Sequence, residues 1–162
     1  PMSLDLSQLS VLHVEDDYWI CQTVREFLPA FGVVEIGAVR DGYAGYDALR
    51  DFSADIVITD WVMAPMDGYD FTQMVRCAPD SPNPFVPIIM MTSRNLRDEV
   101  ERARDIGVTE YLVKPITAEG LRSKIVSVIE NPREFIRGPH YFGPDRRRTH
   151  GLYGGADRRK VA

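Results

Sequence analysis

Five short apolar runs alternate with amphipathic stretches along the chain, and this rhythm restricts the fold more than any other feature of the sequence. The runs cover residues 11–14, 33–36, 56–59, 86–91 and 110–113 and are rich in Val, Ile and Met. Because they are predominantly apolar and rich in β-branched residues, they predict strands covered on both faces, as in a parallel sheet. Segments near 17–29, 42–51, 68–77, 95–106 and 117–130 instead space their apolar residues three and four apart. Ile20, Val24, Phe27 and Leu28 show this, as do Leu121, Ile125, Val128 and Ile129. That spacing predicts helices with one core-facing stripe. Gly32 and Gly107 stand where helices should end, and Asp67-Gly68 and Thr117 where they should begin.

Five strand-then-helix units joined by right-handed crossovers make a doubly wound α/β sandwich, which binds ligands beyond the carboxyl ends of its strands. A chain of 162 residues, 44% of them hydrophobic, supports one good core. The expected organisation is a domain over 1–131 and a basic arm over 132–162. Charge divides the same way, with 11 Lys/Arg against 21 Asp/Glu in the first part and 8 against 3 in the second. So acidic a body argues against nucleic-acid binding. Two cysteines, Cys21 and Cys77, read as small core residues, and three scattered histidines offer no zinc-type cluster. With no long apolar run, the sequence predicts a soluble, cytoplasmic protein away from the membrane.

The ends of the predicted strands gather the chemistry. Glu15 and Asp16 end the first strand, Asp60 the third, Thr92 the fourth, and Lys114 follows the fifth. Three carboxylates this close repel by roughly 4 kcal/mol per pair at an effective dielectric of 20, so a cation must repay the arrangement. Oxygen ligands with open positions suit Mg2+, and Lys114 adds a second positive charge. Asp17 reads as the start of the first helix and His13 as a satisfied buried histidine. Trp61, beside Asp60, reads as packing placed to report on the site.

In order, "VEDD", "ITDWVMAPMDG", "IIMMTS" and "EYLVKP" resemble the receiver domain of two-component response regulators, including the single-domain chemotaxis type, over about residues 9–130. The resemblance implies a flavodoxin-like (βα)5 fold with sheet order 2-1-3-4-5. It also implies that Asp60 is the phosphoacceptor from a phosphohistidine donor. Asp16 and Asp60 would hold Mg2+ directly, Glu15 through water, and Val62 by its backbone carbonyl. Lys114 and Thr92 would contact the phosphoryl group, Tyr111 would be the switch aromatic, and Lys114-Pro115 would be cis. Asp67 would cap the third helix, with Gly68 permitting the bend.

The sequence departs from many relatives at Val62, which is apolar, and at Arg94, a long cation two residues after Thr92; both bear on how water reaches a phosphoryl group. The arm carries an imperfect repeat, "YFGPDRRR" and "LYGGADRRK". Its expected role is docking on an acidic receiver surface, its own or that of a second copy in a homodimer, through Tyr141, Phe142 and Tyr153. The whole reads as a stand-alone response regulator, taking its phosphoryl group from a sensor histidine kinase or histidine phosphotransfer protein and signalling to a downstream protein target. At most it catalyses its own phosphorylation and dephosphorylation. Alternatives are an intermediate carrier in a phosphorelay, a phosphorylation-independent adaptor, or a hydrolase with an aspartyl-phosphate intermediate. The last typically needs a second Asp at position 62.

Overall fold

A computed structural model describes residues 4–93 and 97–147. The body contains β1 (Ser10–Val14), α1 (Tyr18–Ala30), β2 (Glu35–Val39), α2 (Gly42–Asp51), β3 (Ile56–Asp60) and α3 (Gly68–Cys77). It continues with β4 (Ile88–Thr92), α4 (Arg97–Asp105), β5 (Glu110–Val113) and α5 (Ala118–Glu130). All five strands are parallel, in the order β2-β1-β3-β4-β5 expected from the sequence.

Each central strand feeds two cores by the two-residue alternation of strand side chains. Val11, Ile56, Ile58, Ile89 and Met91 pack with Val24 and Leu28 of α1 and with Leu121 and Ile125 of α5. Leu12, Val14, Val57 and Ile88 face the other way, onto Tyr46 and Leu49 of α2 and Phe71 and Val75 of α3. A third, small cluster joins Met90 and Val108 to Ala103 of α4. Ala103 is the one buried residue of α4, because the rest of "RDEVERARD" is almost wholly charged.

Helix starts follow capping chemistry. The Asp17 carboxylate accepts from the Ile20 N–H, Asp67 from Asp70 and Thr117 from Gly120, satisfying donors that an isolated first turn leaves bare. The second strand lies further along than its apolar run predicted. Gly32, at φ +96°, turns the end of α1 so that the Val33 N–H bonds back to the Leu28 carbonyl. Val33 therefore closes the helix as its buried hydrophobic contact, Val34 is 77% exposed, and pairing begins at Glu35.

Beyond α5 the chain makes an antiparallel hairpin of β6 (Phe135–Gly138) and β7 (Tyr141–Pro144). Phe135 and Phe142 meet Phe85 in a triangle of rings with centroids 5.3–5.6 Å apart. The buried Arg76 guanidinium lies 5.0 Å over Phe135 and donates to the Gly107 and Pro84 carbonyls. Phe142 is a buried anchor and Tyr141 a half-buried one, on the chain's own body as one of the two expectations had it, but Phe142 packs on the Phe85 ring rather than on an acidic surface, and the cations over the Phe142 and Tyr141 rings are the arm's own Arg137 and Arg146. An ion pair of Arg146 with Asp105, at 2.6 Å, also ties the hairpin segment to the body. A net-charge difference says nothing about which patch lies under a given strand. Tyr153, Arg148, Arg158 and Arg159 lie outside the described residues.

Candidate functional site

Parallel register brings the polar strand ends to one rim. Val14 pairs with Thr59, Asp60 with Met91 and Thr92 with Val113, so Glu15, Asp60, Thr92 and Lys114 stand at similar heights. Backbone bonds extend the ladder past the strands: Glu15 N–H to Val39, Trp61 N–H to Met91 and Lys114 N–H to Thr92. Glu15 is 0% exposed and Asp60 6% exposed, with Asp16 half-buried beside them. One carboxylate oxygen from each of the three lies within 4.8 Å of the others.

Lys114 bridges the acids, its Nζ 3.1 Å from Asp60 Oδ1 and 3.8 Å from Glu15 Oε2. The Trp61 N–H also donates to Asp60 Oδ1, at 2.9 Å, and the Asp17 N–H to Glu15 Oε1, at 3.0 Å. Glu15 Oε2 is buried without a hydrogen bond. Burial pushes the Glu15 carboxyl up to about 7; Asp60 adds to the rise, while the Asp17 N–H and Lys114 oppose it. Asp60 is also raised by burial, against the pull of Lys114. A divalent cation would relieve both the repulsion and the orphaned oxygen, so these residues fit Mg2+, a hard ion satisfied by few carboxylates.

Thr92 is buried at the rim and hydrogen-bonded to the Tyr111 phenol, which is half-buried against the α4 cluster. Both Lys114-Pro115 and Ala64-Pro65 are cis; the second has no counterpart in the sequence reading. Val62 sits two residues past Asp60 with its side chain 65% exposed. Arg94 lies outside the described residues. Gly68 acts through space rather than through a special φ. A Cβ there would overlap the Asp60 carbonyl oxygen, so only glycine lets the start of α3 pack under Asp60.

Two expectations need correction. Cys77 is exposed and Cys21 only partly buried, because α3 turns position 77 outward at its last turn. His13 is buried, but neither ring nitrogen has a hydrogen-bond partner; burial and nearby Lys114 lower its pKa to about 4, so it packs as a neutral ring. Sequence reasoning also missed a stack leading away from Asp60. Trp61 stacks on Tyr69 of α3 at 6.2 Å, and the Arg102 guanidinium of α4 lies 5.3 Å over Tyr69. The residue types were visible, but their meeting depends on how α3 and α4 lie on the sheet.

The acidic rim with its lysine is matched by a family model. Residues 11–126 match that of the response regulator receiver domain. The chain belongs to the response regulator receiver family. The chemotaxis protein CheY of Pseudomonas aeruginosa is 30% identical over 122 residues, covering 75% of this chain and 97% of that protein. The transcriptional regulatory protein RprY of Bacteroides fragilis is 31% identical over 126 residues, 78% of this chain and 51% of RprY. Among solved structures, CheY4 of Vibrio cholerae superposes with a TM-score of 0.68 at 30% identity, covering 74% of this chain and 98% of that one. The receiver domain of the sensor histidine kinase PA1611 of Pseudomonas aeruginosa, solved with a magnesium ion in its active-site cleft, gives 0.68 at 25% identity over 76% and 98%. The receiver match stops short of the hairpin.

Proposed function

We propose that this receiver is a stand-alone response regulator whose Asp60 takes a phosphoryl group from the phosphohistidine of a sensor kinase or phosphotransfer protein. The observation that carries the reading is Lys114 Nζ at 3.1 Å from Asp60 Oδ1, at the edge of a three-carboxylate cluster. Asp16 and Asp60 would hold Mg2+ directly, Glu15 through water and Val62 through its carbonyl, in keeping with the magnesium-bound PA1611 receiver. When bound, the ion supplies charge neutralisation for the oxygens of the transferred group.

The chain's own residues do the positioning. Lys114 and the Trp61 N–H both hold Asp60 Oδ1, which fixes the plane of the carboxylate. A carboxylate oxygen attacks phosphorus, the donor's N–P bond breaks, and the electron pair stays on the imidazole. Lys114 then pairs with a phosphoryl oxygen, and Thr92 turns its hydroxyl from Tyr111 toward the same group. No protein base is required, since catalysis here is orientation and charge compensation. Beyond its own phosphorylation and dephosphorylation the chain performs no reaction, and its output is contact with another protein in the cytoplasm. Among the described residues no helix is long and apolar enough to cross a membrane.

Acetyl phosphate with magnesium should add one phosphoryl mass to the protein, and Asp60→Asn should abolish the shift. Asp16→Ala should also abolish it. Lys114→Ala should retain some labelling but lose the response to it.

A further inference from the structure

Where the end of α3 meets the hairpin lies a pocket of about 490 Å3, at the opposite edge of the sheet from the acidic rim. Arg76 and Arg137 line it together with His140, Tyr141 and Phe142, and no Asp or Glu does. Arg76 is 3% exposed, a cation set inside the packing. Its Nε donates to the Gly107 carbonyl at 3.0 Å and its Nη1 to the Pro84 carbonyl at 2.8 Å. The remaining nitrogen, Nη2, is buried without a hydrogen bond. Burial pushes the guanidinium pKa down to about 9, so the group is still charged at neutral pH. All it meets is neutral, two carbonyls and the Phe135 ring. Arg137 is exposed and lies 4.4 Å over the Phe142 ring. Among the described residues neither arginine has a carboxylate partner. A buried charge with an unfilled donor is costly, and a paired one much less so.

We infer that this pocket binds a small organic carboxylate with an aromatic or aliphatic body. The carboxylate supplies the acceptor that Arg76 Nη2 lacks and the negative charge that both arginines lack, in a charge-assisted bond stronger than a neutral one. Nη2 lies under the surface, so the exposed Arg137 and His140 side chains shift as the ligand enters. Tyr141, Phe142 and Pro84 then cover the apolar body. The volume falls within the range of about 300–1,000 Å3 usual for small-molecule sites. Inorganic phosphate fits less well. It has no apolar part for the rings, and a dianion loses more hydration on burial than a carboxylate does. Arg137, His140, Tyr141 and Phe142 lie beyond residues 11–126, so the site belongs to the hairpin and not to the matched receiver. It also spans the joint between α3 and the hairpin, so an occupied pocket holds the two together.

Titrating the full chain with 2-naphthoate and with its neutral amide, followed by backbone amide shifts, tests this. The acid should bind at least about tenfold tighter than the amide. Its shifts should map to Cys77, Tyr141 and Phe142, and the unfolding temperature should rise with acid concentration. Arg76→Met should erase the preference for the acid, whereas Arg25→Gln, at an exposed position of α1, should keep it. Arg76→Met also removes two hydrogen bonds that hold the body together, so Arg137→Gln serves as the second variant. It should weaken binding of the acid by about threefold and leave the amide unchanged. Equal binding of acid and amide, a Kd for the acid above about 1 mM, shifts mapping elsewhere, or tighter binding of inorganic phosphate than of 2-naphthoate would overturn the inference.

Discussion

Glu15 concentrates the electrostatics of this protein in one side chain. Its carboxyl is lifted from an ordinary 4.5 to about 7 by burial and by Asp60. Between those values the folded protein keeps a proton that the unfolded chain has released. This group's contribution to stability is therefore complete below pH 4.5 and is lost as pH rises through 7, a change of about 3 kcal/mol. The metal-free melting temperature should accordingly fall from about pH 5 to pH 8. Millimolar magnesium should restore it at the upper end and do little at the lower, and Glu15→Gln should flatten the profile. Calorimetry across that range checks all three, and a level profile in the unmodified protein would contradict the assignment. Gly68 is the steric counterpart. Gly68→Ala forces a Cβ against the Asp60 carbonyl oxygen, so the urea midpoint should drop by the equivalent of about 1–3 kcal/mol of overpacking, with altered Trp61 fluorescence.

At the scale of elements, the hairpin behaves as part of the body's packing. Phe142→Ala removes a buried ring from the triangle with Phe85 and Phe135, and should cost about 3 kcal/mol in denaturant unfolding. A loss below about 1 kcal/mol would mean that the hairpin is only loosely held. The sequence did not announce these strands, because each is four residues long, holds glycine or proline, and packs its own Phe135 and Phe142 on a distant ring of the body, Phe85. Strands β1, β3 and β4 were legible because every residue in them is buried, which leaves a mostly apolar stretch even where His13 or Thr59 interrupts it. Strand β2 was legible as an element but not in its bounds. Val33 and Val34 look like strand residues, yet one caps α1 and the other faces water. The rim was readable for a different reason: in a parallel sheet, the residue after each apolar run must emerge at the same edge. The Trp61–Tyr69–Arg102 stack and the meeting of Thr92 with Tyr111 depend on helix placement, which residue spacing does not encode.

For the molecule as a whole, the two cores bind α1, α2, α3 and α5 to one sheet, the small third cluster adds α4, and the proposed phosphoacceptor chemistry occupies the carboxyl edge of that sheet. The hairpin meets Phe85 and Gly107, which precede β4 and β5 at the opposite edge. Truncation after Asn131 should thus lower stability and promote self-association through the uncovered Phe85 surface. Phosphoryl uptake should survive, a separation that sedimentation and mass spectrometry would show together. The central claim is that Asp60, framed by Glu15, Asp16 and Lys114, accepts a phosphoryl group. Its most direct test is intact-mass spectrometry after incubation with acetyl phosphate and magnesium. The account predicts a single added phosphoryl group, absent without magnesium and absent in Asp60→Asn; an unmodified wild-type protein, or a label that persists in Asp60→Asn, would contradict it.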